Sequence, residues 1–364
     1  MARLALPQAG IGVTGRLTLR YCCPMKSLRP KSVAERGRVD GDTFVREIAN
    51  RAEPIVLRGQ VAEWPAVAAA RLGQRAVADY VAGFDGGAPL EVFIGHPDIC
   101  GRFFYSDDLS GFNFVRQKVA LPQLMSELLR LAETADPAPH GIYANAAAAS
   151  AHSPGWTNAN RLDLPIDGTA RLWIGNATTV ATHYDMSPNI ACVVAGRRRF
   201  TLFPPEQLAN LYVGPLDHTI AGPPTSLVDP DAPDLDRYPR FADAWRAACV
   251  AELGPGDAIF IPSIWWHHVR ALDTLNVLVN YWWAETGGAS PFLALIHAMM
   301  AVRDLPAAER AGWRSWFDHL VFDDAAPDAG AHLPQHLRTV LDRASPERSE
   351  RIRQFLVASL QGSA

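Results

Sequence analysis

Apolar residues fall four apart at Phe44, Ile48 and Ala52, which predicts an amphipathic helix over residues 40–53. The run Pro54-Ile55-Val56-Leu57-Arg58-Gly59 follows and predicts a strand closed by glycine. Residues 90–94 and 102–105 predict further short strands. Residues 121–133, with Leu124, Leu128, Leu129 and Leu131 on one side, predict a helix. From Tyr143 to Trp283 the pattern changes to short β-branched or aromatic runs, each bounded by glycine, proline or asparagine: residues 171–175, 189–195, 199–203, 257–262 and 276–283. Evenly punctuated antiparallel strands of this kind predict a jelly roll, so the fold class is mainly β with flanking helices, a double-stranded β-helix. A long connection over residues 204–243, rich in proline and aspartate, predicts an insertion near the mouth of a site.

After Trp283 the pattern returns to helices over residues 290–303, 307–322, 333–342 and 346–360. The second carries Trp313, Trp316, Phe317 and Leu320 on one side, and the last Ile352, Phe355, Leu356 and Leu360. Such faces are expected to be buried, against the barrel or against the same helices of a second subunit, a homodimer in the latter case. The chain thus divides into an N-terminal segment (1–39), a main domain (40–289, with its jelly-roll core at about 143–285) and a C-terminal helical extension (290–364).

At 364 residues there is room for one large core plus appendages. A formal charge of −4 gives no nucleic-acid signal for the chain as a whole. Five cysteines without any C-x-x-C spacing suggest neither a disulfide framework nor a structural zinc site, and point to a reducing compartment. The acid-poor first 30 residues faintly resemble an organelle transit peptide, but a tail, or residues upstream of a start at Met25, is the blander reading. With no stretch reaching the ~18 apolar residues that span a bilayer, the expected location is cytoplasmic.

His183-Tyr184-Asp185 places an imidazole and a carboxylate two positions apart, and in a strand residues i and i+2 share a face. Both therefore reach one metal ion. Among eleven histidines a lone His-x-Asp is a weak signal. Downstream, Gly254-Pro255-Gly256-Asp257 forms a tight turn, residues 258–262 a strand, and Trp265-Trp266-His267-His268 follows. One imidazole of this pair supplies a third ligand from a separate strand, and the other is left for packing or support. Two histidines and one carboxylate on one face of an octahedral ion leave open positions, as in non-haem Fe(II) oxygenases, whereas zinc prefers four-coordinate closure. The bland alternative is a pair of surface or aromatic-packed histidines.

Here the sequence resembles the cupin-like, JmjC-type 2-oxoglutarate oxygenases, especially the branch containing the asparaginyl hydroxylase that inhibits hypoxia-inducible factor. The resemblance spans residues 40–285. It is tightest at His183-Tyr184-Asp185, Asn189, Gly196 and Leu202-Phe203-Pro204-Pro205, and again from Gly254-Pro255-Gly256-Asp257 through Ile261-Pro262, Trp265-Trp266-His267-His268 and Asn280. It implies His267 as the third ligand, Fe(II), 2-oxoglutarate and dioxygen as cofactor and co-substrates, and Tyr143, Asn189 and Asn280 in the 2-oxoglutarate pocket. It further implies hydroxylation of a C–H bond, or demethylation where the carbon is bound to nitrogen, with succinate as co-product. Substrates in that branch are often protein or peptide side chains, and a small molecule stays open.

Two positions depart from the family pattern. Arg198 stands where relatives usually carry a lysine for the distal carboxylate of 2-oxoglutarate, and Val180 where they commonly carry threonine or serine. Arginine grips a carboxylate bidentately. Strand alternation points only the middle residue of Arg197-Arg198-Arg199 inward, although a solvated charge run is the bland reading. Thr179 and Thr182 stand close to Val180, but parity lets neither replace it without a shift, so Thr182 is a candidate contact only on that condition. These departures keep two rivals open: a non-catalytic binding module, and a metal-dependent cupin that does not use 2-oxoglutarate. Of Trp265, Trp266, Trp282 and Trp283, most are expected in the core.

Overall fold

Where uniformly apolar or alternating runs meet glycine, proline or asparagine, the chain forms strands. The computed structural model describes residues 29–134, 137–283 and 290–361. Its strands are β1 (Lys31–Ser32), β2 (Ala34–Arg36), β3 (Ile55–Leu57), β4 (Leu90–Gly95), β5 (Arg102–Phe103), β6 (Phe114–Val119), β7 (Gly141–Ala148) and β8 (Ala170–Gly175). There follow β9 (Thr179–Tyr184), β10 (Asn189–Ala195), β11 (Arg198–Phe203), β12 (Cys249–Leu253), β13 (Ala258–Ile261), β14 (Trp266–Ala271) and β15 (Asn276–Trp282). One sheet runs β1-β12-β11-β14-β9-β5 and the other β2-β3-β13-β10-β15-β8-β7-β4-β6. Most pairs are antiparallel; β1 with β12, β2 with β3 and β5 with β9 are parallel.

The two sheets face each other across Val193, Leu278 and Ile259 from one and Phe200, Val269 and Leu253 from the other. Each such side chain contributes about 1.5–3 kcal/mol when fully buried. The larger sheet is covered on its outer face too, which is why β10 is buried along its whole length. Helix Leu121–Thr134 supplies part of that cover, with Leu121, Leu124, Leu128 and Leu131 inward. Helices Pro65–Leu72 and Gln74–Ala82 supply more. The predicted helix over residues 40–53 is shorter: Asp40 caps a turn at Gly41–Thr43, and a wider π turn, Phe44–Ile48, completes it and buries Phe44 and Ile48.

The turn Gly254-Pro255-Gly256-Asp257 is structural. The Asp257 carboxylate accepts from the backbone N–H of Gly59 and Gly254 and pairs with Arg58, so it ties the start of β13 to β3.

A second compact unit begins at Ala284. Its helices are Pro291–Ala301, capped by the Ser290 hydroxyl, Ala307–Phe317, which runs on into a π turn at Asp318–Phe322, and Pro346–Gln361. The helix predicted over residues 333–342 is a single turn, Gln335–Arg338, halted where Thr339 takes a positive φ of 46°. Leu293, Met300, Trp316, Phe322 and Phe355 are exposed on this unit. No helix among the described residues is long and apolar enough to cross a membrane.

Candidate metal centre and its pocket

Strands β9 and β14 pair with His183 directly opposite His267, and Asp185 follows at the end of β9. One donor atom each of His183, Asp185 and His267 lies within 4.8 Å of the other two. The imidazole centroids are 4.4 Å apart, and His267 Nε2 is 3.6 Å from Asp185 Oδ2. Nδ1 of His183 lies 2.9 Å from the Ala181 carbonyl, and Nδ1 of His267 lies 3.0 Å from the Trp265 carbonyl. A carbonyl only accepts, so both Nδ1 atoms carry the proton and both Nε2 lone pairs are free for the centre. Burial lowers the His183 pKa to about 4, with His267 adding to the effect and Asp185 opposing it. The ring is therefore neutral, the form that ligates a cation.

Asp185 is held as firmly. Its Oδ2 accepts from Asn189 Nδ2 at 3.0 Å and from the indole N–H of Trp282 at 2.9 Å. Asn189 Oδ1 in turn accepts from Asn280 Nδ2 at 3.1 Å, and Asn280 Oδ1 from the Trp173 indole at 2.7 Å. Asn189 and Asn280, expected to contact 2-oxoglutarate, line a cavity together with His183, Asp185 and His267, and their amides are spent on this relay from Trp173 to the carboxylate. Trp173 and Trp282 escaped the sequence reading as polar partners. Their parity with Arg171 and Asn280 on β8 and β15 is the signal that could have found them.

Arg198 is 3% exposed, while Arg197 and Arg199 turn outward to Asp273 and Glu252. One guanidinium N–H donates to the Trp173 carbonyl at 3.1 Å, another group of it lies against the Tyr143 hydroxyl, and Nε has no partner. No carboxylate pairs with it among the described residues. Burial pushes the Arg198 guanidinium below its ordinary range and the Tyr143 hydroxyl above its own. A buried cation without a counter-ion costs on the order of several kcal/mol. That cost is offset when an anion enters the inner pocket, which Arg198 and Tyr143 share with His183, Asp185 and His267. The donor set and this orphaned cation together fit an Fe(II) ion with a dicarboxylate co-substrate.

Val180 also lines that pocket. Three residues from His183, it would face away in a regular strand, but the pairing of β9 with β14 slips between His267 and Val269, so Ala181 and Thr182 lie opposite His268 alone. This bulge returns Val180 to the side of His183. Thr182 gains nothing from it: fully buried, its hydroxyl without a partner, it lines neither part of the cavity and is removed from the contact set. His268 also points to the far face, where one ring nitrogen comes within 4.8 Å of carboxylate oxygens of Asp229 and Asp231. Those carboxylates are already paired with Arg102 and Arg270. Trp265 and Trp266 are core residues.

The inner pocket opens into an outer cavity of about 430 Å³. Its walls are Phe93, Phe103, Trp173 and Trp282 on one side and Ile220 and Pro223 on the other. The long connection over residues 204–243 thus reaches the mouth. Thr225 bridges to His183, and the Ser226 N–H donates to the Thr182 carbonyl.

The profile of the cupin-like domain matches residues 41–288. Lysine-specific demethylase 8 of Xenopus tropicalis is 38% identical over 117 residues, 32% of this chain and 25% of that protein. tRNA wybutosine-synthesizing protein 5 of Danio rerio is 39% identical over 102 residues, 28% of each chain. HSPB1-associated protein 1 of Homo sapiens is 36% identical over 115 residues, 30% of this chain and 22% of that protein. The aligned part of this chain spans about a quarter of the length of these relatives. With the profile covering well over half of the 364 residues, the chain belongs to the cupin-like domain family.

Proposed function

We propose that this chain is an Fe(II)- and 2-oxoglutarate-dependent oxygenase that hydroxylates a C–H bond, on a protein or peptide side chain. When bound, the iron and 2-oxoglutarate supply activation of dioxygen coupled to oxidative decarboxylation to succinate. The protein's share is positioning. His183 and His267 present fixed Nε2 lone pairs, and Asn189 and Trp282 hold one oxygen of Asp185 in place. Arg198 and Tyr143 would offer donors to the distal carboxylate of 2-oxoglutarate, in a pocket that the apolar Phe200, Ile261 and Leu278 also line. The reading rests above all on the buried, uncompensated Arg198 opening onto the same pocket as two histidines and a carboxylate.

Anaerobic addition of Fe(II) and 2-oxoglutarate is expected to produce a visible metal-to-ligand charge-transfer band. The band should need both additions and be absent from Asp185→Ala. Iron binding without the band would remove 2-oxoglutarate from the proposal. One observation favours a binding module or another cupin reaction: the apolar Val180 gives the pocket one carboxylate donor fewer. Release of succinate in air separates these from the oxygenase. We further propose that the exposed apolar faces of the C-terminal unit pair two copies of the chain.

A further inference from the structure

Charge on the lining of the outer cavity comes down to two side chains. Among the described residues lining it, Asp185 is the one carboxylate and Arg171 the one guanidinium. Asp185 is committed inward, to His267, Asn189 and Trp282. Arg171 is not committed to any acid. It projects from β8 opposite Asn280, donates one N–H to the Ala146 carbonyl at 3.3 Å, and stacks over the Trp282 ring with its central carbon 5.2 Å from the centroid. No carboxylate pairs with it among the described residues.

A guanidinium that lies over an aromatic face and is paired with no acid can still receive a carboxylate or phosphate through two parallel hydrogen bonds. The same Trp282 donates its indole N–H to Asp185, so this cation is anchored through one side chain to the metal centre. The walls beside it are apolar and aromatic, with Phe93, Trp173 and Ile220 exposed to the cavity. Low-polarity walls strengthen whatever charge pairing they enclose. A methylammonium group, in contrast, would meet Arg171 with no uncommitted carboxylate among the described lining residues to offset the repulsion.

We propose that Arg171 is the substrate-recognition residue of this site and selects an anionic group, a carboxylate or a phosphate monoester, flanked by apolar or aromatic surface. This rests on the reading of His183, Asp185 and His267 as the metal centre. It also weighs against methyl-lysine as the substrate of this chain.

The test uses full-length protein loaded with Mn(II) and saturated with 2-oxoglutarate. Paramagnetic broadening of proton resonances is measured for three probes: N-acetylglutamate amide, N-acetylphosphoserine amide and N-acetyl-trimethyllysine amide. Broadening of the first, the second or both is expected, and the two anionic arms separate a carboxylate from a phosphate. Apparent affinity for the broadened probe should fall about tenfold or more in Arg171→Gln and recover in part in Arg171→Lys. Mn(II) affinity, read by electron paramagnetic resonance, should stay unchanged in both variants. Anion broadening that is absent, or that is indifferent to Arg171→Gln, would overturn the assignment, as would stronger broadening of the trimethyllysine probe. Failure of the parent chain to bind Mn(II) would overturn the metal-centre reading and this assignment with it.

Discussion

Arg198 and Trp282 act on the centre in different ways, and single substitutions separate them. Replacing Arg198 with methionine removes a cation that has no counter-ion in the empty pocket, so the ligand-free chain should become more resistant to denaturant. The same change should weaken 2-oxoglutarate binding at least about thirtyfold, or about 2 kcal/mol, at unchanged iron affinity. Calorimetric titration of both ligands alongside a urea unfolding curve reads the opposed signs; a loss of stability would make Arg198 structural. Trp282→Phe keeps a ring against Trp173 and beneath Arg171 but deletes the indole N–H on Asp185. Metal affinity should fall about tenfold to a hundredfold by Mn(II) titration, with the unfolding midpoint almost unmoved. The cluster of His183, Asp185 and His267 was legible because His-x-Asp spacing and strand parity are local. Trp173 and Trp282 were not, because their donors matter only once β8, β15 and the end of β9 converge across more than a hundred residues of chain.

Parity fails where pairing overrides it. The bulge at Ala181 and Thr182 is set by the register of β9 against β14, and nothing within β9 announces it. It decides that Val180 lines the pocket and that Thr182 does not. The helices Pro65–Leu72 and Gln74–Ala82 were also missed: the first is half alanine, and at 8 and 9 residues each repeats its apolar face over barely two turns. The turn joining β10 to β11 was flagged by resemblance alone, and its physical need is now plain. Gly196 holds φ at +71°, and a Cβ there would stand 2.2 Å from Asn276 Oδ1 and 2.7 Å from the Leu275 carbonyl oxygen. Gly196→Ala should therefore cost about 2–3 kcal/mol in denaturant unfolding and displace Arg198, two residues on, so that 2-oxoglutarate binding weakens as well. Unaltered stability would mean that the turn relaxes without strain.

At the scale of the molecule, the C-terminal unit carries the largest unresolved hydrophobic debt. Trp316 is 63% exposed, Phe322 72% and Phe355 65%, and the described part of its three longer helices buries no large apolar side chain. Patches of that kind mark association surfaces. The full chain is expected to elute as a dimer on a sizing column, and a chain ending at Ala289 as a monomer; equal oligomeric state for both would dismiss the pairing role. A different consequence follows from the single rung on which His183 and His267 face each other across β9 and β14. An ion held there is a crosslink within the smaller sheet, so folding and metal supply become one equilibrium. At a free ion concentration a hundred times the dissociation constant, the bound form gains about 2.7 kcal/mol over the empty one. If iron is that ion, as proposed, a cell short of it would lose this protein by proteolysis as well as by inactivity, and its abundance would track the iron supply.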